Sequence, residues 1–383
     1  MNVATRHGSF WPSPTQRALL EVALGPAEQA AARWRALQPL DVATLDTGSF
    51  SLLPLLYERL SEVVPDEPQL PRLLGTYRSV WYRNQLLLER LAVLLPLLRQ
   101  RAHVEPLLVG GMSALLRCYP RLGLRPVPQL EVMVEREAAS DAVKVAGYAG
   151  WRPTRQAHLF TRLRDESGLF LLIHHGAPLS VAGPLGGEEG LRRFRERALE
   201  LPEVEGAPLV LDSVDELLYL CAFGARTTVP PSCQWLADVD SLQRSGQISS
   251  AAEVAERARR SHLVDSLRET LAYLAEVRGT EGLEELVGRL DTQRTSRRDR
   301  LAFRLAGAGG RAIPPAQTLA IHLQATADDP LHRVVTRLPR TLQQVWGARN
   351  LLEVSTLALG KTARLFRPDA QPSVADRSRS ASS

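Results

Sequence analysis

The sequence predicts an α+β protein: a small α/β core with a mixed sheet, held between an N-terminal helical region and a C-terminal helical domain. Three observations predict it. Apolar residues recur at three-to-four spacing from Pro14 to about Gln100, and again beyond a Gly- and Pro-rich stretch at 177–188. Between the two, short apolar runs show the period-two alternation of half-buried strands. Their order is strand, helix, strand, helix, strand, strand, which suits a mixed sheet with helices packed on it.

The elements follow in chain order. Helical spacing covers 15–24 and 27–38, and Ser13-Pro14 and Gly25-Pro26 read as start signals. "SLLPLLYERL" (51–60) continues it. A longer amphipathic stretch at about 70–99 follows, where Pro96 is expected to kink the helix or end it early. "VEPLLVGG", from 104, is a short apolar run that ends in Gly110-Gly111 and opens into the helix "MSALLRCY". After a loop at 120–128 come a strand at 129–135, a helix over "EAASDAVKVAGYAG", and strands at 157–163 and 168–175. Helical patterns then return, with Asp212 and Ser213 where caps belong and Glu216 three residues after Ser213, a capping-box arrangement. "PDAQPSVADRSRSASS" has almost nothing apolar to bury and reads as disordered. The expected organisation is therefore 1–103 helical, 104–186 α/β core, 187–367 helical and 368–383 disordered tail.

Composition excludes several classes. At 383 residues, 44% hydrophobic and 23% charged, the chain reads as a globular protein. It has no uninterrupted apolar run near the ~18 residues of a membrane span. Met1 to Pro14 lacks the charged start and apolar centre of a signal peptide, and Cys118, Cys221 and Cys233 sit in apolar surroundings without CxxC spacing. The expected location is the cytoplasm, with all three thiols packed. The net charge of +5 is carried almost wholly by arginine, Lys144 and Lys361 being the only lysines. The arginines are spread along the chain rather than striped, and aromatics make up 5%, which argues against sequence-specific nucleic-acid binding. GxSxG, HExxH, GxxxxGK[ST] and a strand-borne GxGxxG are all missing.

What remains is "LRPVPQLEVMVE" (124–135). In an extended strand Gln129, Glu131 and Met133 share one face. A metal-binding strand would place acids at both 129 and 131, and here only Glu131 is acidic.

The fragments "LLPLLYERL", "LLVGGMSALLRCYP", "GLRPVPQLEVMV", "VAGYAGWRP", "LLIHH", "LDSVDELLYLCAFGA" and "WLADVD" occur in that order from about Trp34 to about 290. In this order they resemble a bacterial family of uncharacterised nucleotidyltransferases in the DNA polymerase β superfamily. The resemblance implies a nucleotidyltransferase-like core that uses Mg²⁺ and a nucleoside triphosphate. Two metal ions on two or three carboxylates would support attack at the α-phosphate and loss of pyrophosphate. By the same resemblance, Gln129 stands for the first acid, Glu131 for the second and, if His174 matches the family histidine, Leu172 for the third. Gly110 stands where many members carry lysine, and Phe223 where many carry histidine. Arg125 matches the family arginine, and Asp238 a family acid whose role is catalytic or structural.

Gly110-Gly111 and Ser113, at a helix start, together with Arg125, are the candidate phosphate contacts. The same Gly-Gly turn is equally explained by strand-to-helix geometry, and Arg125 by a surface ion pair. His158, His174 and His175 with Glu131 suggest a zinc cluster, against which stands the opposite facing of neighbours 174 and 175. Two readings follow. One is a catalytically degenerate family member that binds nucleotide or a protein partner. The other is an active transferase using Glu131, helped by Gln129 and a recruited acid such as Glu135, Asp141 or Asp238.

Overall fold

The computed structural model describes residues 10–178, 187–224, 232–279, 282–307, 314–346 and 353–354. The expected tail at 368–383 lies outside them. Among the described residues are sixteen α-helices and one seven-stranded sheet. The N-terminal helices are α1 (Pro14–Leu24), α2 (Ala27–Ala36), α3 (Thr47–Phe50), α4 (Leu53–Val63) and α5 (Leu70–Arg101). Ser13 caps α1 as read, in a full capping box with Gln16. Pro96 does not end α5, which runs on for 32 residues to Arg101.

The core contains β1 (Leu107–Val109), α6 (Gly110–Cys118), β2 (Leu130–Val134), α7 (Ala139–Tyr148), β3 (Arg152–Gln156), β4 (Phe160–Arg164) and β5 (Phe170–His175). Helix α8 (Glu188–Arg197) leads into two short strands, β6 (Leu199–Glu200) and β7 (Leu209–Val210). The spatial order is β3-β4-β5-β2-β1-β7-β6. β2 runs parallel to β5 and β1 parallel to β7, while the other neighbours are antiparallel, so the sheet is mixed as expected. Three strands escape the sequence pattern. β3 is exposed at all five positions and so shows no apolar alternation, and two-residue β6 and β7 are too short to show any.

The sheet separates two cores. Leu130, Val132, Val134, Leu171 and Ile173 point to the side covered by α5 and α7, against Leu87, Leu91, Leu98, Ala142 and Ala146. Val109 and Met133 point the other way, toward the N-terminal helices and toward α9 (Ser213–Gly224) and α10 (Gln234–Arg244). Each such leucine contributes roughly 1.5–3 kcal/mol by leaving water. The remaining helices are α11 (Ala251–Arg260), α12 (Val264–Arg278), α13 (Glu284–Asp291), α14 (Arg297–Ala306), α15 (Pro314–Ala325) and α16 (Leu331–Trp346). The three cysteines are free, and burial raises the Cys221 and Cys233 thiols to about 12. No described helix is long and apolar enough to cross a membrane.

Candidate functional site

Glu131 lies on the second core-facing side of the sheet, at the mouth of a cleft of about 180 Å³ lined by Gly110, Gly111, Arg125, Tyr219, Trp235 and Asp238, among others. The β2–β5 register decides what stands beside it. Leu172 is the direct partner of Glu131, and His174 follows two residues on, on the same face. The position next to the acid is thus filled by an aliphatic side chain. The Glu131 carboxylate is met instead by His174 Nε2 at 3.1 Å. His174 and His175 do point to opposite faces, and His175 contacts Thr161 Oγ1 at 3.1 Å. His158 stands beside Arg136 in the turn before β4. Burial lowers the pKa of both His158 and His175. Among the described residues no three His, Cys, Asp or Glu converge in a way that could hold a metal ion.

The Gly-Gly turn is required by two close approaches. Gly110 has a φ of +68°, a left-handed conformation, and a side chain there would come within 3.1 Å of the Glu131 carboxyl. A Cβ on Gly111 would meet Arg125 Nη1 at 2.3 Å. No side chain caps α6, whose first residues Gly110 and Gly111 line the cleft, and the Glu131 carboxyl lies beside Gly110. Ser113 is elsewhere. Fully buried, it donates to Glu216 Oε2 at 2.8 Å and lines no part of the cleft. Gln129 is half-buried just before β2 begins and is also not a lining residue.

Arg125 is committed to an internal pair. Its Nε and Nη2 donate to the two oxygens of Asp238 at 2.9 and 2.7 Å, and Nη1 donates to the Pro126 carbonyl. Both partners are almost completely buried. Burial alone would lower the Arg125 pKa, but Asp238 outweighs it and the net shift is upward. Tyr119 Oη donates to Asp238 Oδ1 at 2.8 Å and Gln234 Nε2 approaches the same oxygen at 3.3 Å. Asn84 anchors the loop by donating to the carbonyls of Leu122 and Arg125. Of the acids considered for recruitment, Glu135 pairs with Arg195 and Asp141 with Lys144 on the exposed side of α7, and only Asp238 lines the cleft.

Glu216 forms no capping box. Asp212 caps α9 by accepting from the Asp215 N–H at 2.8 Å, which leaves Glu216 in the interface with α6. Burial raises its carboxyl to about 7. Tyr119 and Gln234 are the network members that sequence reading passes over, and Glu216, read as part of a cap, belongs to the α6–α9 interface instead. The Gln234–Asp238 spacing of four on one helix was a usable signal, whereas Tyr119 had none.

A strand running into a Gly-Gly helix start, an acid on the antiparallel neighbour, an arginine loop behind it and a helical half together make up the cleft. The model of the uncharacterised nucleotidyltransferase family matches residues 49–279. The chain belongs to that family. The match covers α4 through α12 together with the whole sheet, so the family region contains both sides of the cleft. No curated protein matches the chain.

Proposed function

We propose that this nucleotidyltransferase-family protein binds rather than transfers: a nucleotide-binding or partner-binding component whose metal site is degenerate. The observation that carries the reading is the row Glu131–Leu172, one carboxylate next to an aliphatic residue where two-metal chemistry needs a second charge. The donor set does not fit a pair of Mg²⁺ ions. Gln129 brings no charge, Glu131 already contacts His174, and Asp238 is neutralised by Arg125. A phosphate entering the cleft would find the backbone of Gly110 and Gly111 but no free guanidinium from Arg125. In this reading the family fold is kept as a scaffold, and α6 and α9 frame the ligand.

A second reading has one observation in its favour: Asp238 lines the same cleft as Glu131. If Asp238 exchanged Arg125 for a metal ion, Glu131 and Asp238 could share it, without the help of Gln129, which does not line the cleft. A thermal-shift titration with ATP, GTP, CTP and UTP, each with Mg²⁺ and with EDTA, separates the two. A ligand specific to the folded state stabilises by roughly 2.7 kcal/mol at a hundredfold excess over Kd. A shift that persists in EDTA supports the binding component. A shift that requires Mg²⁺, with labelled NMP incorporation lost in Glu131→Gln, would replace it by the active transferase.

A further inference from the structure

We propose that the β3–β4 edge of the sheet docks the sugar–phosphate backbone of single-stranded nucleic acid. The antiparallel register sets Arg152 opposite Arg164 and Arg155 opposite Arg162. Opposed residues share a face, so four guanidinium groups leave the sheet from a patch about 5 Å by about 7 Å. Among the described residues no carboxylate lies within ion-pair distance of any of the four, in contrast to Arg125, Arg90 and Arg195. Like charges set directly opposite in a sheet are destabilising. An anion from outside the chain is what would relieve them.

The guanidiniums are held by aromatic rings rather than by acids. Arg162 stacks over Phe170 at 4.0 Å, Arg164 lies 5.7 Å from the same ring, and Arg155 lies 5.5 Å from Phe160. The rings hold Arg155, Arg162 and Arg164, and although Arg162 Nε is buried without a partner, none of the three forks is turned to an acid, so each keeps N–H groups to offer a phosphate. The outer face of a stacked guanidinium can also take an unpaired base, which favours a single strand over a duplex. β3 is the outermost strand and is exposed throughout, while Pro153 and the irregularity at 153–155 suppress pairing with another strand. The edge is therefore suited to side-chain contact rather than to β-addition. The patch reads no bases, in keeping with the lack of any sequence-specific signature in the chain. The proposal does not depend on what the cleft at Glu131 binds.

The test is fluorescence anisotropy of the full chain with a labelled oligothymidine and a labelled oligouridine of about twelve nucleotides. With about four phosphates neutralised, affinity is expected to fall about 50-fold between about 50 and about 200 mM salt. Arg155→Gln/Arg162→Gln should lose about tenfold in low-salt affinity. Arg152→Gln/Arg155→Gln, at exposed positions of the edge strand where substitution costs little stability, should lose a similar factor and show a shallower salt slope. No binding at low salt would overturn the proposal, as would unchanged affinity when all four arginines are glutamine. Displacement by polyglutamate at matched charge would also overturn it, in favour of an acidic protein partner.

Discussion

The cleft beside Glu131 and the outer edge of the sheet use the same residue types in opposite ways. In and behind the cleft the charged groups have internal answers: Arg125 meets Asp238 and Glu131 meets His174 at the lining, and Glu216 meets Ser113 in the α6–α9 interface behind it. At the edge, Arg152, Arg155, Arg162 and Arg164 meet aromatic rings or solvent. A buried pair is strongly destabilised when one partner is lost, because the other is left charged and dry. An exposed cluster adds little to stability and keeps its electrostatics available to a partner. The first region spends its charges on holding the cleft walls together, and the second leaves its charges available to a partner.

That comparison is broken most severely by Asp238→Ala, which strands Arg125 in the interior. A loss of about 3–5 kcal/mol is expected in denaturant unfolding, with Asp238→Asn losing less because it can still accept a hydrogen bond. Equal stability of Asp238→Ala and wild type would mean that the pair is not buried in solution.

Glu216 comes next. Its carboxyl is raised from an ordinary 4.5 to about 7, so the folded state holds the proton more tightly than the unfolded one. Stability should therefore be highest below about pH 4.5 as far as this group is concerned, fall as pH rises, and level off above about 7. The total change is roughly 3 kcal/mol. Urea midpoints of wild type and Glu216→Gln, compared at acid and mildly alkaline pH, should diverge, with the variant losing less stability as pH rises. Parallel curves would refute the shift.

Gly111→Ala drives a methyl group into Arg125 and is expected to cost about 1–3 kcal/mol, read from the thermal midpoint. The smallest effect belongs to the edge: Arg152→Gln/Arg155→Gln should move stability by no more than about 0.5 kcal/mol while weakening polyanion binding. If that double variant unfolds, the two regions are not the opposites described here.

Much of the fold was legible residue by residue. Ser13 with Gln16, the alternation from Leu130 to Val134, and the Gly-Gly exit from β1 each carry local information that no distant contact overrides. The elements that were missed are those without a local pattern, exposed β3 and two-residue β6 and β7, while α5 continues past Pro96 in a 32-residue helix held by Leu87, Leu91, Leu94, Leu95 and Leu98. At the site, the presence of Glu131 and of non-acidic residues at 129 and 172 was readable from residue type, and the sheet register then set Leu172 beside Glu131. The destinations of Arg125, Ser113 and Glu216 were not, since each ends on a residue about one hundred positions away.

The sequence by itself determined the class of the chain, the order of its elements, and that Glu131 stands without a second acid, because periodicity and residue type are local properties. Only the tertiary structure decided that Leu172 lies directly beside Glu131, that Asp238 is consumed by Arg125, and that the hairpin register sets four arginines on one face. The physical reason is register. Which side chains meet across a sheet or a helix interface depends on the alignment of segments far apart in the chain, and a shift of a single residue would turn every one of them to the other face.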